Sequence, residues 1–207
     1  RMLSMSNDVD HPAARAISYD QLLEAYTEQA TALIEGGVDL LLIETCFDTL
    51  NAKCAVDAAR RAMDNTGREV PVMVSVTFSD NSGRTLSGQN LDAFMTSMEP
   101  LGLWAIGMNC GMGARQLMPY VKQMAAKSPV LVGAYPNAGL PNAMGEYDES
   151  PESMADEMKE FLDEGLLNII GGCCGTDEHF IQLFARMTKD RVPRQPAPRD
   201  GRLRLSG

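Results

Sequence analysis

This chain of 207 residues predicts a parallel α/β fold, and within that class the C-terminal five units of a (β/α)8 TIM-type barrel. Three observations carry the prediction. Apolar runs rich in β-branched residues recur at 38–43, 72–76, 103–108, 130–134 and 166–170, every 27 to 36 residues. Runs of four to six apolar residues without alternation suit parallel strands covered on both faces. Helical patterns fill the intervals, and strand–helix alternation at that period means parallel β/α units. Five strands, with a helix opening the series and no strand before it, fall short of the roughly 250 residues of a whole barrel. The chain therefore reads as beginning in the loop after a third strand.

The first helix starts at Ser18-Tyr19-Asp20-Gln21, a capping-box pattern. Leu22, Leu23, Tyr26, Ala30, Leu33 and Ile34 form its apolar stripe, and Gly36-Gly37 ends it. Further helices are expected over 49–63, 91–98, 114–126, 151–164 and 177–188. Asp48 is a candidate cap for the second, and Pro151 after Ser150 is a first-turn signal. Met154, Met158, Phe161 and Leu162 supply a buried stripe, so these methionines are core. Cys54 falls on a helix stripe with Leu50 and Ala58 and is assigned to the core as well. The glycine-rich stretch 82–88 lacks the Gly-Lys-Ser/Thr of a phosphate loop and reads as a loop or lid. Residues 1–190 form the barrel domain, and the proline-rich stretch within 191–207 is expected to be an extended, solvated linker.

Composition narrows the function. Eighteen basic against 28 acidic residues leave a formal charge of −10, which disfavours nucleic acid and anionic membrane as partners. No apolar run reaches the length of a membrane span and no signal-peptide pattern opens the chain, so a cytoplasmic setting is expected. Five cysteines in such a setting point to thiols or metal ligands rather than a disulfide framework. With only His11 and His179 present, any metal site must lean on sulfur, and His179 reads as a helix-start residue.

In parallel β/α folds, chemistry collects at the carboxyl ends of the strands. Those ends hold Glu44-Thr45, Ser75-Val76-Thr77, Asn109-Cys110, Tyr135-Pro136-Asn137 and Cys173-Cys174. Cys110 and the adjacent pair Cys173-Cys174, flanked by glycines, would converge if their strand ends are neighbours. Three thiolates without a fourth protein ligand describe an open zinc site, and no C-x-x-C pair suggests a structural zinc knuckle. Such a site carries net charge −1 and deprotonates an entering thiol while leaving it electron-rich. Alkyl transfer to sulfur is the chemistry it suits, so the three cysteines serve as both metal ligands and catalytic residues. Glu44, a carboxylate after four apolar residues, is expected to bind a substrate ammonium or to be held by backbone amides. Asn137 is expected to touch substrate, to fill the fourth metal position, or to build a turn. Cys46 lies near the proposed mouth without a second motif.

Together these segments resemble the homocysteine S-methyltransferase family. The matching residues are Ile43-Glu44-Thr45 with Phe47-Asp48-Thr49-Leu50-Asn51-Ala52-Lys53, the stretch 82–89, Gly107-Met108-Asn109-Cys110, the stretch 136–141, and Gly171-Gly172-Cys173-Cys174-Gly175-Thr176. The resemblance covers about 7–187. The segments Asp48-Thr49-Leu50-Asn51-Ala52-Lys53 and Pro136-Asn137-Ala138-Gly139-Leu140-Pro141 are similar to the cobalamin-dependent methionine synthase branch. The resemblance implies a (β/α)8 barrel that binds the homocysteine sulfur on zinc held by Cys110, Cys173 and Cys174, with Glu44 binding substrate. It implies methyl transfer from methylcobalamin on a separate cobalamin-binding module, recharged by a methyltetrahydrofolate-binding module, to give methionine. Related readings are a homocysteine methyltransferase using betaine or S-methylmethionine, and a non-catalytic β/α domain with structural or redox cysteines. Because the family's first three strands find no counterpart here, this chain by itself is expected to bind zinc weakly and to be a poor enzyme.

Overall fold

The computed structural model describes residues 2–6, 8–78, 82–199 and 201–206. Helix α1 (Tyr19–Glu35) opens with the expected capping box: Gln21 N–H donates to Ser18 Oγ at 3.2 Å and Ser18 N–H donates to Gln21 Oε1 at 3.0 Å. Strand β1 (Leu41–Cys46) leads into α2 (Thr49–Thr66), whose first turn is capped by Asp48 through Leu50 N–H. Then follow β2 (Val72–Val76), α3 (Leu91–Met98), β3 (Ala105–Gly113) and α4 (Ala114–Lys127). The series closes with β4 (Leu131–Asn137), α5 (Pro151–Asp163), β5 (Ile169–Ile170) and α6 (Glu178–Thr188). Among the described residues, no helix is long and apolar enough to cross a membrane.

All strand pairs are parallel and the spatial order equals the chain order, β1-β2-β3-β4-β5. A doubly wound sheet would reverse direction at a switch point. A monotonic order is the arc of a β/α barrel. The main core lies where α2 to α6 pack on the strands, around Phe94, Phe161, Phe184, Met154, Met158 and Leu117, each at most 2% exposed. Burying such side chains stabilises the fold by about 1.5–3 kcal/mol apiece, so helix-on-sheet packing dominates. A second cluster seats α1 through Ala30 and Ile34 on Leu41, Ala59 and Ala62.

The concave face of the sheet is filled differently. Gly107 and Gly133 lack side chains where Met73 lies: a Cβ on either would sit 2.7 Å from the Met73 methyl carbon. Tyr135 folds over the same face, its hydroxyl 3.6 Å from Met73 Sδ, and its ring occupies the space a Cβ on Gly171 would need. Gly107 and Gly133 on neighbouring strands and Gly171 just past β5 thus admit one methionine and one tyrosine across the inside of the arc.

Several expectations shift. β1 is not covered on both faces: Leu41 is buried against α1, but Leu42 is 39% exposed and Glu44 is exposed, because β1 is an edge of the arc. Leu33 is 43% exposed although its spacing puts it on the α1 stripe. β1, β3, β4 and β5 all begin one to three residues later than their apolar runs, and β1, β3 and β4 extend into the polar residues beyond. The early apolar residues instead pack below the strands, as Leu167 does at 5% exposure. Among the described residues, the segment after α6 has no regular secondary structure, yet it is not freely solvated. Arg194 is 5% exposed, and its guanidinium donates to the carbonyls of Ala125, Ser128 and Val130 at the end of α4. Its backbone bonds Leu167 and Asn168, so 191–199 straps the amino-terminal side of the sheet. The stretch 82–88 is tied down as well, with Ser87 N–H donating to the Phe47 carbonyl and Thr85 buried.

Candidate metal centre

Cys110 sits near the end of β3, and Cys173-Cys174 follow β5 across the sheet from it. β3 does not stop at its apolar run. It bulges after Asn109, and pairing with β4 resumes at Gly113↔Asn137. The bulge is built from two consecutive left-handed residues, Cys110 at φ +59° and Gly111 at φ +71°. Gly111 is required on space as well as on torsion, since a Cβ there would fall 2.2 Å from the Phe78 carbonyl oxygen. A left-handed cysteine is a strained choice, of order 1–3 kcal/mol, and it places the thiol among the strand ends.

The paired cysteines are held by their own backbone. Cys173 N–H donates to the Pro136 carbonyl at 2.8 Å, and Cys174 N–H donates to Asn137 Oδ1 at 3.1 Å. Ala138 N–H donates to the Cys174 carbonyl at 2.9 Å, and the Thr176 hydroxyl donates to the Cys173 carbonyl at 2.7 Å. Gly175 (φ +79°) makes room for Tyr147, whose Cβ would lie 2.4 Å from a side chain there. Burial chiefly, with the neighbouring thiols of Cys174, Cys110 and Cys173, pushes the Tyr147 ionisation upward.

The three sulfurs meet. Cys110 Sγ lies 3.6 Å from Cys174 Sγ, Cys173 Sγ lies 4.0 Å from Cys174 Sγ, and all three fall within 4.8 Å of one another. All three cysteines are half-buried. A tetrahedral ion with metal–sulfur bonds of ~2.3 Å sets its ligand sulfurs ~3.8 Å apart. The observed separations bracket that figure, and the all-sulfur donor set suits a soft or borderline cation such as zinc. Burial, reinforced by charge on Cys110, pushes the Cys173 thiol up to about 11, and the Asn109 side chain opposes this.

Asn109, 1% exposed, is the hub beneath the cluster. Its Oδ1 accepts from Thr45 N–H at 3.0 Å and from the Ser75 hydroxyl at 2.7 Å. Its Nδ2 donates to Thr45 Oγ1 at 2.8 Å and towards Cys173 Sγ at 3.8 Å. Thr45 is itself left-handed at φ +59°, and Glu44 precedes it at the open inner face of β1. Glu44 lies near enough to Tyr135 that its charge, added to burial, raises that phenol to about 12. Cys46 is buried with its thiol on the Ile43 carbonyl, and Cys54 is fully buried. His179 is exposed in the first turn of α6, beside its capping residue Asp177.

Reading the sequence brought Cys110, Cys173 and Cys174 to one place, and they are together. Glu44 lies near the end of β1, and Asn137, which is buried, ends β4. Reading the sequence assigned no role to Asn109, Thr45 or Ser75 beyond their place at strand ends, and it passed over Tyr147. Tyr147 carries no local signal, since it lies in the irregular loop between β4 and α5, and only the fold carries it to Cys174.

The family model for homocysteine S-methyltransferase matches residues 1–188. The chain belongs to the homocysteine S-methyltransferase family. Among solved structures, the metallated form of the homocysteine methyltransferase MmuM from Escherichia coli superposes with a TM-score of 0.60 at 20% identity. That likeness is one of fold. It covers 87% of this chain and 56% of that one, so this chain spans little more than half of MmuM's length. A type I 3-dehydroquinate dehydratase from Clostridium difficile aligns at a TM-score of 0.46 and 12% identity, over 91% of this chain and 66% of that one. Membership in this family agrees with the five-unit parallel arc.

Proposed function

We propose that this chain carries the zinc- and homocysteine-binding site of a methyltransferase that converts homocysteine to methionine, of the cobalamin-dependent methionine synthase type. The observation that supports it best is the meeting of Cys110, Cys173 and Cys174 at separations fit for a tetrahedral ion. Zinc bound there would supply the Lewis acidity that holds an added thiol as thiolate at neutral pH. The three cysteines hold the ion, and their accumulated charge keeps the substrate sulfur nucleophilic. Glu44, on the open inner face, receives the substrate ammonium. Asn137, whose Oδ1 accepts from Cys174 N–H, would touch substrate from the end of β4.

Methylcobalamin on a separate module would supply the methyl group, while Cys110, Cys173 and Cys174 with Glu44 would hold and orient the homocysteine sulfur that accepts it. On binding, the substrate thiol would release its proton to solvent through the open side of the site. In this reading the methyl donor and its recharging belong to cobalamin- and methyltetrahydrofolate-binding modules that work with this one in the cytoplasm. X-ray absorption at the zinc edge tests the central claim. Homocysteine is expected to raise the sulfur count from three to four, and an unchanged count overturns the open-site reading. Offering methylcobalamin, betaine and S-methylmethionine in parallel to the complete enzyme identifies the donor.

A further inference from the structure

We infer that Asn109 is a positioning residue that tunes Cys173 and couples the sulfur cluster to the strand end bearing Glu44; the inference rests on the metal-centre reading above. A carboxamide has an oxygen that accepts twice and a nitrogen that donates twice. The two ends look alike in outline, and only their partners tell them apart. Here the partners decide. Thr45 N–H is a backbone amide and can only donate, so the atom 3.0 Å from it is the oxygen. The other end is then the nitrogen, facing Thr45 Oγ1 at 2.8 Å and Cys173 Sγ at 3.8 Å. With the Ser75 hydroxyl on the oxygen, all four positions of the carboxamide are used in a residue that is 1% exposed. The group has no freedom to rotate without leaving a buried donor or acceptor unpaired, a loss of about 1–3 kcal/mol.

Two consequences follow for the site. Cys173 is the one sulfur of the three that receives an N–H from β3, so charge on it is drawn towards that amide and away from a bound cation. Groups behind a ligand that orient it in this way commonly change metal affinity by about 10- to 100-fold. Thr45 is bonded through both its N–H and its hydroxyl and stands next to Glu44, so the carboxamide also fixes where β1 presents that carboxylate. Sulfur and carboxylate are thereby held in register by one side chain rather than by two separate loops.

The test loads the full chain with cadmium enriched in its magnetic isotope and looks for scalar coupling to the protons of nitrogen-labelled side-chain amides. A hydrogen bond from Asn109 Nδ2–H to a metal-bound sulfur transmits that coupling, and packing alone does not. We expect cadmium to couple to the β-protons of Cys110, Cys173 and Cys174 and to the Asn109 amide. Coupling to the cysteines without the amide overturns the role of Asn109 and leaves the metal centre standing. Coupling to no cysteine overturns both. A second measurement is cadmium affinity by competition with a chelating dye. Asn109→Ala is expected to weaken it about 10- to 100-fold, while Ser75→Ala, which removes only a donor to the oxygen, leaves it close to that of the unaltered chain. Equal affinity for Asn109→Ala and the unaltered chain overturns the proposal. Should Asn109→Ala fail to fold, the coupling measured on the unaltered chain decides.

Discussion

Cys110 is left-handed, Gly111 is left-handed, and between them they aim a thiol that an ordinary strand would turn away. At this scale the site is a set of torsions enforced by close contacts. Gly111→Ala adds a methyl 2.2 Å from the Phe78 carbonyl oxygen in a backbone conformation that disfavours it. The expected result is a loss of about 2–4 kcal/mol in urea unfolding, together with lower zinc content. Cys173→Ser tests the ligands themselves. It is expected to purify with far less than one zinc per chain, a larger effect than the 10- to 100-fold typical of residues behind a ligand, and elemental analysis reads it directly. Stoichiometric zinc in that variant counts heavily against a three-thiolate centre. The cysteines were legible in the sequence because glycine-flanked thiols at strand ends are rare and chemically marked. The Cys110 torsion and Tyr147 were not, since each depends on groups brought from elsewhere in the chain, the Phe78 carbonyl and Gly175 among them.

Elements were read more surely than their ends. α3 agrees with its pattern at both termini, because Asn90 caps it and Glu99-Pro100 turns the chain into a short 3-10 segment. β3 runs five residues past its apolar stretch, because a bulge carries the pairing through residues that lack strand character. The cap of α2 illustrates how an element's end serves the site. Asp48 is 2% exposed and accepts from Leu50 N–H, Ser4 N–H and Ser4 Oγ–H, so it fastens the helix and the segment around Leu3 together just beyond Glu44. Asp48→Ala is expected to cost about 1–2 kcal/mol in chemical denaturation. Proteolysis should then fall first near residues 3–6. Asp48→Asn, which keeps an acceptor for the cap, is expected to recover most of the stability.

For the whole molecule, period and order identified the fold: near-regular apolar runs predicted a β/α arc, and five strands in chain order are that arc. What periodicity could not reveal is how the arc is lined and tied. Its inner face is filled by Met73 and Tyr135 through absent side chains on Gly107, Gly133 and Gly171, a match made across neighbouring strands and the residue just past β5. Its lower side is tied by residues 191–199, where the basic, proline-rich composition suggested only a solvated stretch. Arg194→Ala is expected to lower stability by about 2–3 kcal/mol, since several carbonyls at the end of α4 lose a charged donor. The thermal midpoint would report it, with zinc stoichiometry unchanged because the strap lies at the opposite end of the strands from the cysteines.

That strap also has a mechanical meaning. A pull applied to residues beyond 199 meets the Arg194 guanidinium and the Ala197–Ser128 backbone bond before it reaches α6. Load passes sideways into α4 and β4, in shear, rather than peeling α6 away and loosening the turn that holds Cys173 and Cys174. The anchor works as strain relief. In single-molecule stretching from the carboxyl end, the first rupture should be a small one that frees about 191–199, with the sulfur cluster intact until a second, larger event.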